Sequence, residues 1–165
     1  MHFSCQLDAH IYRMFNLPYL YNYLGRQDLS VSRSRKVAKG EYHTGNSGLP
    51  GNSDAGAMQT WLLWNMIGLY PITGQTTFLI HAPWFESLVI DLGGDKKLEI
   101  SSTGGDGNGD SDYYVQNLKV NGKEWTKNWL EWGDVFADGG RLEFELGPTA
   151  VNWTSGSLPP SPASN

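Results

Sequence analysis

The hydrophobic period of this chain changes at Pro71, and that change limits what the chain can fold into. Before Pro71, apolar residues recur every three or four positions, as they do along a helix face. After Pro71 they alternate in short runs that are separated by turns rich in Gly, Asn and Asp. The sequence therefore predicts an α+β chain, with helices over residues 1–72, an antiparallel β-rich region over 73–150 and a disordered tail over 151–165.

Three helices are predicted in the first region. They are a short helix that restarts at Pro18, a helix from Leu29 to about Lys39, and a helix from Asp54 to Leu69. The second helix takes Asp28 as its cap, and its cations, Arg35 among them, are interpreted as a solvated face. The third helix has apolar side chains on every side, which predicts that it is buried all round.

Five strands are predicted in the second region. They span Thr76–His81, Leu88–Leu92, Lys97–Ser101, Tyr113–Val120 and Arg141–Leu146. A hairpin is predicted at Asn121-Gly122, because both central residues of a type I′ turn need a positive φ.

One carboxylate stands where a glycine-rich loop becomes the third helix. The loop runs from Gly48 to Asp54, and Ser53 or Asp54 could cap the first helical turn. A carboxylate fixed beside a mobile loop also suits general-base catalysis or metal ligation, because both need an acceptor oxygen held in one place. The local pattern leaves both roles of Asp54 open.

Several motifs occur in a fixed order along the chain. They are Leu17-Pro18-Tyr19-Leu20-Tyr21-Asn22-Tyr23-Leu24-Gly25, Arg35 with Tyr42, the run Gly48 to Met58, the run Trp61 to Pro71, and Pro83-Trp84-Phe85. In order and spacing this set resembles the C-terminal end of glycoside hydrolase family 92, in its fungal-type form. That family contains calcium-dependent, inverting exo-α-mannosidases. The resemblance covers about Leu17 to about Pro148.

The resemblance implies a fold, a reaction and two site residues. The first region would hold the last helices of an (α/α)6 barrel, and the chain would be a C-terminal fragment of an enzyme several times longer. Asp54 would be the general base and Asn52 would help to position the water. Calcium would bind the mannose of an oligosaccharide or glycoprotein N-glycan, with ligands that the sequence does not identify. His81 stands where the family usually has glycine and is interpreted as a surface change.

The same resemblance predicts that this chain alone is inactive. The family's general-acid glutamate lies in an upstream motif that has no match here. Without its acid, an inverting glycosidase loses a group that is worth about 10²- to 10⁴-fold in rate. The alternative is a carbohydrate-binding or structural β module without catalysis.

Charge and composition exclude several other partners. The formal net charge of −5 and the lack of a basic cluster argue against nucleic acid and against anionic membrane surfaces. Seven Trp, eight Tyr and six Phe suit sugar stacking, although most of these rings are expected in the core. Asp106-Gly107-Asn108-Gly109-Asp110 begins like a calcium loop but departs from that pattern at Ser111 and Asn117, so local calcium binding and a plain flexible loop both stay open.

The compartment is undecided by the sequence. Residues 1–16 lack the basic start and apolar centre of a secretory signal, whereas full-length members of the family are often extracellular. Asn152-Trp153-Thr154 is a glycosylation sequon, which is usable only in a secretory compartment.

Overall fold

A computed structural model of the chain describes residues 15–107 and 109–161. The helical elements are a 3₁₀ helix at Leu17–Leu24, α1 at Gln27–Glu41, a 3₁₀ turn at Asp54–Gly56, α2 at Ala57–Ile67 and α3 at Trp132–Val135. The strands are β1 (Leu69–Pro71), β2 (Thr77–Ile80), β3 (Ser87–Gly93), β4 (Lys96–Thr103), β5 (Tyr114–Val120), β6 (Lys123–Glu124), β7 (Trp129–Glu131) and β8 (Gly140–Gly147). The fold is therefore α+β, as predicted.

All five predicted strands are present, as β2, β3, β4, β5 and β8, and each end lies within two residues of the expected one. The predicted hairpin joins β5 to β6, with φ values of 51° at Asn121 and 76° at Gly122. The short strands β1 and β7 were not predicted, because three residues are too few to establish an alternating pattern.

The strands form two sheets. One has the order β1-β2-β7 and is antiparallel throughout, whereas the other has the order β3-β4-β8-β5-β6. In the second sheet β4 and β8 are parallel and the other three pairs are antiparallel, so the region is rich in antiparallel pairs, as predicted. The long excursion through β5, β6 and β7 lets the chain return in the direction of β4, as a parallel pair requires. The core lies between these sheets, around Leu98, Ile100, Leu118, Leu130 and Leu142.

The first helices begin elsewhere than predicted. Helix α1 starts at Gln27, so Asp28 lies in its first turn and binds the Arg26 guanidinium, with 2.9 Å between oxygen and nitrogen. Helix α2 starts at Ala57, three residues after Asp54. It is also not buried all round, because Leu63 is 57% exposed and no described residue covers it. Among the helices that the structure describes, none has the length and apolarity needed to cross a bilayer.

Two polar residues that were interpreted as surface residues are buried. Arg35 is 3% exposed and His81 is fully buried. The Arg35 guanidinium donates to the carbonyl oxygens of Ala82 and Pro83, at 2.9 and 3.0 Å, so its charge is not solvated by water. The His81 ring contacts the hydroxyl of Ser34, the residue before Arg35 in α1. Both interpretations failed because they considered only the residue's own segment.

An amide pair joins the helical region to the sheets. The Asn22 side chain donates to the carbonyl oxygens of Ile80 and Asn128, at 3.0 and 2.8 Å. The Asn128 side chain donates back to the Asn22 carbonyl oxygen at 2.8 Å. These bonds cross the boundary placed near residue 72, and the division into domains stays a prediction.

The described part of the predicted tail lies against the second region. The backbone amides of Ser155 and Gly156 donate to the Thr126 carbonyl oxygen, at 3.1 and 3.0 Å. The Trp129 indole donates to the Ser157 carbonyl oxygen at 2.8 Å. Residues 162–165 lie outside the described residues.

Candidate active site

The structure brings the two predicted site residues together. The Asn52 amide donates to Oδ1 of Asp54 at 2.7 Å, and both side chains are exposed. No other described residue donates to the Asp54 carboxylate. One carboxylate oxygen is thus held by an amide, and the other, Oδ2, accepts no hydrogen bond from any residue that the structure describes around this exposed side chain.

Asp54 does not cap α2. The residue that serves the first turn is Ser53, whose hydroxyl oxygen accepts the Met58 backbone amide at 3.3 Å and also bonds to the Gln59 side chain. The sequence left two roles open for Asp54, and the structure excludes the role of helix cap. Its carboxylate remains available for chemistry.

Two successive left-handed residues separate Asp54 from α2. Ala55 has φ 50° and ψ 29°, and Gly56 has φ 77° and ψ 17°. A left-handed conformation costs a residue with a Cβ about 1–2 kcal/mol. Such strain is concentrated at functional sites, where the surrounding structure maintains it. The turn lifts Asp54 off the helix end and presents its carboxylate outward.

An aromatic layer fixes the start of α2 beneath this turn. The rings of Tyr42 and Trp61 stack with their centroids 5.7 Å apart, and the Tyr42 hydroxyl donates to the Met58 carbonyl oxygen at 3.1 Å. Burial raises the pKa of Tyr42 to about 12, so its phenol is neutral at ordinary pH. The Trp61 indole donates to the Phe15 carbonyl oxygen at 2.9 Å. These contacts give the loop a rigid base.

A buried polar chain stabilises the same helix from its other side. The Asn65 side chain donates to the Tyr19 hydroxyl at 2.9 Å and accepts from the Trp84 indole at 3.0 Å. The rings of Tyr19 and Tyr70 stack with their centroids 4.0 Å apart. Burial raises the pKa of the Tyr19 hydroxyl far above its usual range. Sequence reasoning missed Asn65, although a single amide inside the apolar run from Trp61 to Ile67 is a usable signal for a buried polar contact.

The acidic loop near Asp106 is organised by its own backbone. The Asp106 carboxylate accepts the backbone amides of Gly109, Asp110 and Ser111, at 2.7, 3.0 and 2.7 Å. Arg35 donates to the Gly109 carbonyl oxygen at 3.1 Å, which ties this loop to α1. The carboxylate oxygens are therefore used for backbone hydrogen bonds, an arrangement that favours a structured turn over a calcium loop.

A calcium ion binds oxygen ligands, and several of them are usually carboxylates. Among the described residues, no three His, Cys, Asp or Glu side chains are grouped closely enough to hold a metal ion. The described side chain that bonds to the Asp54 carboxylate is the Asn52 amide and not a second carboxylate.

The fold defines an α+β protein whose sheets are mostly antiparallel. The chain belongs to glycosyl hydrolase family 92, since the profile of the glycosyl hydrolase family 92 catalytic domain matches residues 12–148. An uncharacterized secreted glycosidase of Arthroderma benhamiae is 36% identical over 152 residues, a match that covers 89% of this chain and 19% of that protein. The family resemblance seen in the sequence is confirmed.

Solved structures of the family have the same fold. A family GH92 α-mannosidase of Bacteroides thetaiotaomicron, in complex with mannoimidazole, matches 90% of this chain and 20% of its own, with TM-score 0.81 and 28% identity. A family GH92 inverting mannosidase of the same organism matches 84% of this chain and 18% of its own, with TM-score 0.74 and 26% identity. The chain thus spans about a fifth of the length of these relatives.

Proposed function

We propose that Asp54 is the general base of an inverting exo-α-mannosidase, to which this chain contributes one side of the active site. The observation that carries the proposal is the exposed Asp54 carboxylate, which is held by one Asn52 amide bond and is not used as a helix cap. Family membership and the printed names of the solved relatives supply the reaction class. We propose Asn52 as the residue that orients the carboxylate and its water.

The chemistry of inversion assigns the two Asp54 oxygens different tasks. Asn52 holds Oδ1, so Oδ2 can accept a proton from water. The oxygen of that water bonds to the anomeric carbon on the face opposite the leaving group, while the glycosidic bond breaks. A general acid about 6.5 to 9.5 Å away protonates the leaving oxygen. The family resemblance places this acid upstream, so no described residue is assigned to it.

The proposed substrate is a terminal α-linked mannose of an oligosaccharide or N-glycan. Calcium stays part of the proposal through the family resemblance alone, with ligands beyond those that the described residues supply. We also propose that the full-length protein containing this segment is exported, because the fungal relative is named as a secreted glycosidase.

Hydrolysis of α-1,2-mannobiose in the presence of calcium tests the function. The protein that contains this segment within the full family length should release mannose, and proton NMR should detect the β anomer first. The 165-residue chain alone should release none above a buffer control. Early release of the α anomer would overturn the inverting mechanism. Mannose binding by the full-length protein without hydrolysis would favour the alternative, a carbohydrate-binding β module.

A further inference from the structure

The segment after β8 carries an isolated modification signal. Asn152-Trp153-Thr154 is the only Asn-X-Ser/Thr triplet in the 165-residue sequence. The triplet lies outside any helix or strand, and Asn152 is exposed. The family match ends at residue 148, before this segment, and the proposed reaction assigns no role to it.

Trp153 anchors the triplet to the body of the protein. Its indole donates to the side-chain oxygen of Gln27 at 3.2 Å, and its ring packs against the main hydrophobic core. Gln27 is itself fixed, because its amide donates to the His81 carbonyl oxygen at 3.0 Å. The anchor holds the segment in place while the neighbouring Asn152 stays at the surface.

The other two side chains of the triplet contact each other. The Thr154 hydroxyl donates to Oδ1 of Asn152 at 3.3 Å. No described residue accepts from Nδ2 of Asn152, which is the atom that N-glycosylation modifies. The hydrogen bond thus engages the carboxamide oxygen and leaves its nitrogen accessible.

An open cleft beside Asn152 provides room for a sugar. The cleft has a volume of about 320 Å³, and Arg26, Asp28 and Asn152 are among the residues that line it. Arg26 and Asp28 form an ion pair, 2.9 Å apart, in which the Arg26 side chain is exposed and the Asp28 side chain half-buried, and charged groups of this kind can hydrogen-bond sugar hydroxyls. A glycan on Asn152 would therefore displace no packed side chain.

We propose that Asn152 is an N-glycosylation acceptor when the chain enters a secretory compartment. Nδ2 bonds to the anomeric carbon of N-acetylglucosamine in an oligosaccharide linked to a lipid pyrophosphate. The bond from that carbon to the pyrophosphate oxygen breaks, the lipid pyrophosphate leaves with the electron pair, and Nδ2 loses one proton to the transferase. The proposal is independent of mannosidase activity.

The test uses the 165-residue chain secreted from yeast behind a cleavable leader. The chain should carry one glycan that peptide N-glycosidase F removes, with ¹⁸O from labelled water incorporated at Asn152. Thr154→Ser should keep the glycan, because the hydroxyl remains. Thr154→Ala and Asn152→Gln should lower occupancy at least tenfold. The cell-retained pool is analysed in the same way, so poor folding of a variant does not hide the result.

A second sequon controls for entry into the compartment. Lys123→Thr places a hydroxyl two residues after Asn121, which lies in the exposed hairpin turn and whose Nδ2 donates to the Asp134 carbonyl oxygen at 3.0 Å, so it is a more demanding acceptor than Asn152. Glycan at Asn121 of this variant without glycan at Asn152 would overturn the proposal. Glycan at both positions would support it.

Discussion

Two glycine-rich loops of this protein contain Asp54 and Asp106, and the carboxylates of these two residues are used in opposite ways. The Asp106 carboxylate accepts three backbone amides of its own loop. The Asp54 carboxylate accepts one side-chain amide, from Asn52, and is otherwise exposed. A carboxylate that backbone amides surround stabilises its loop, whereas one with a free oxygen can accept a proton from water.

The two loops are also held in place differently. The Asp106 loop rests on the buried Arg35 guanidinium, which lies 4.6 Å from the centre of the Trp84 ring. Gly109 has φ 70°, and a Cβ there would collide with Arg35 and Trp84, so the close approach needs glycine. The Asp54 loop is held by the Ser53 hydroxyl and by two left-handed residues. Composition does not separate these loops, but their hydrogen bonds do.

The largest expected effect is on turnover. In the full-length enzyme, Asp54→Asn should lower kcat by about 10² to 10⁴, because Asn cannot accept the proton of water. Its melting temperature should hold, since Asp54 stabilises no helix end. Steady-state kinetics and thermal melting measure the two quantities.

Asp106→Asn is the matched control for that change. It should leave kcat near the parent value and lower stability by about 1 kcal/mol, because a neutral amide accepts backbone amides less strongly than a carboxylate. If both variants lose activity equally, the distinction between the two loops fails.

The second effect is on stability and concerns Arg35. Arg35→Ala in this chain should lower the free energy of unfolding by about 3 kcal/mol, because three carbonyl oxygens lose a charged donor. Urea unfolding followed by tryptophan fluorescence measures this loss. Hydrogen exchange should report faster exchange at the Gly109 amide and little change at the Met58 amide.

Arg33→Ala is the control, since Arg33 lies on the same helix and is exposed. Its unfolding midpoint should match that of the parent. An unchanged midpoint in Arg35→Ala as well would mean that the Asp106 loop does not depend on its anchor.

The smallest expected effect, counted per pH unit, is the change of stability with pH that His81 causes. The His81 ring contacts Ser34, the residue before Arg35. Burial, with a contribution from the Arg35 charge, lowers the pKa of His81 to about 3. Between its ordinary pKa near 6.5 and pH 3 the unfolded chain binds a proton that the folded chain does not, so stability falls as pH falls. The slope from His81 should reach about 1.4 kcal/mol per pH unit.

Urea unfolding at several pH values between 4 and 7 measures that slope. His81→Gln should have a shallower slope than the parent, because the carboxylates titrate in both proteins and His81 in only one. Equal slopes would show that His81 is not held neutral.

The sequence by itself determined the local structure. The alternating runs predicted five strands, and Asn121-Gly122 predicted its hairpin, because both signals depend on neighbouring residues. The motif order identified the family, and the loop ending in Asp54 identified the candidate base. Their assigned roles in catalysis remain predictions. The (α/α)6 barrel also remains a prediction.

Only the tertiary structure decided which polar groups are buried and which carboxylate is free. Arg35 meets a carbonyl oxygen 74 positions away at Gly109, and Asn22 meets one 106 positions away at Asn128. No local pattern encodes such partners, and a polar side chain is buried only where partners satisfy it. The parallel pairing of β4 with β8 has the same origin, since it depends on where the chain returns after a long excursion.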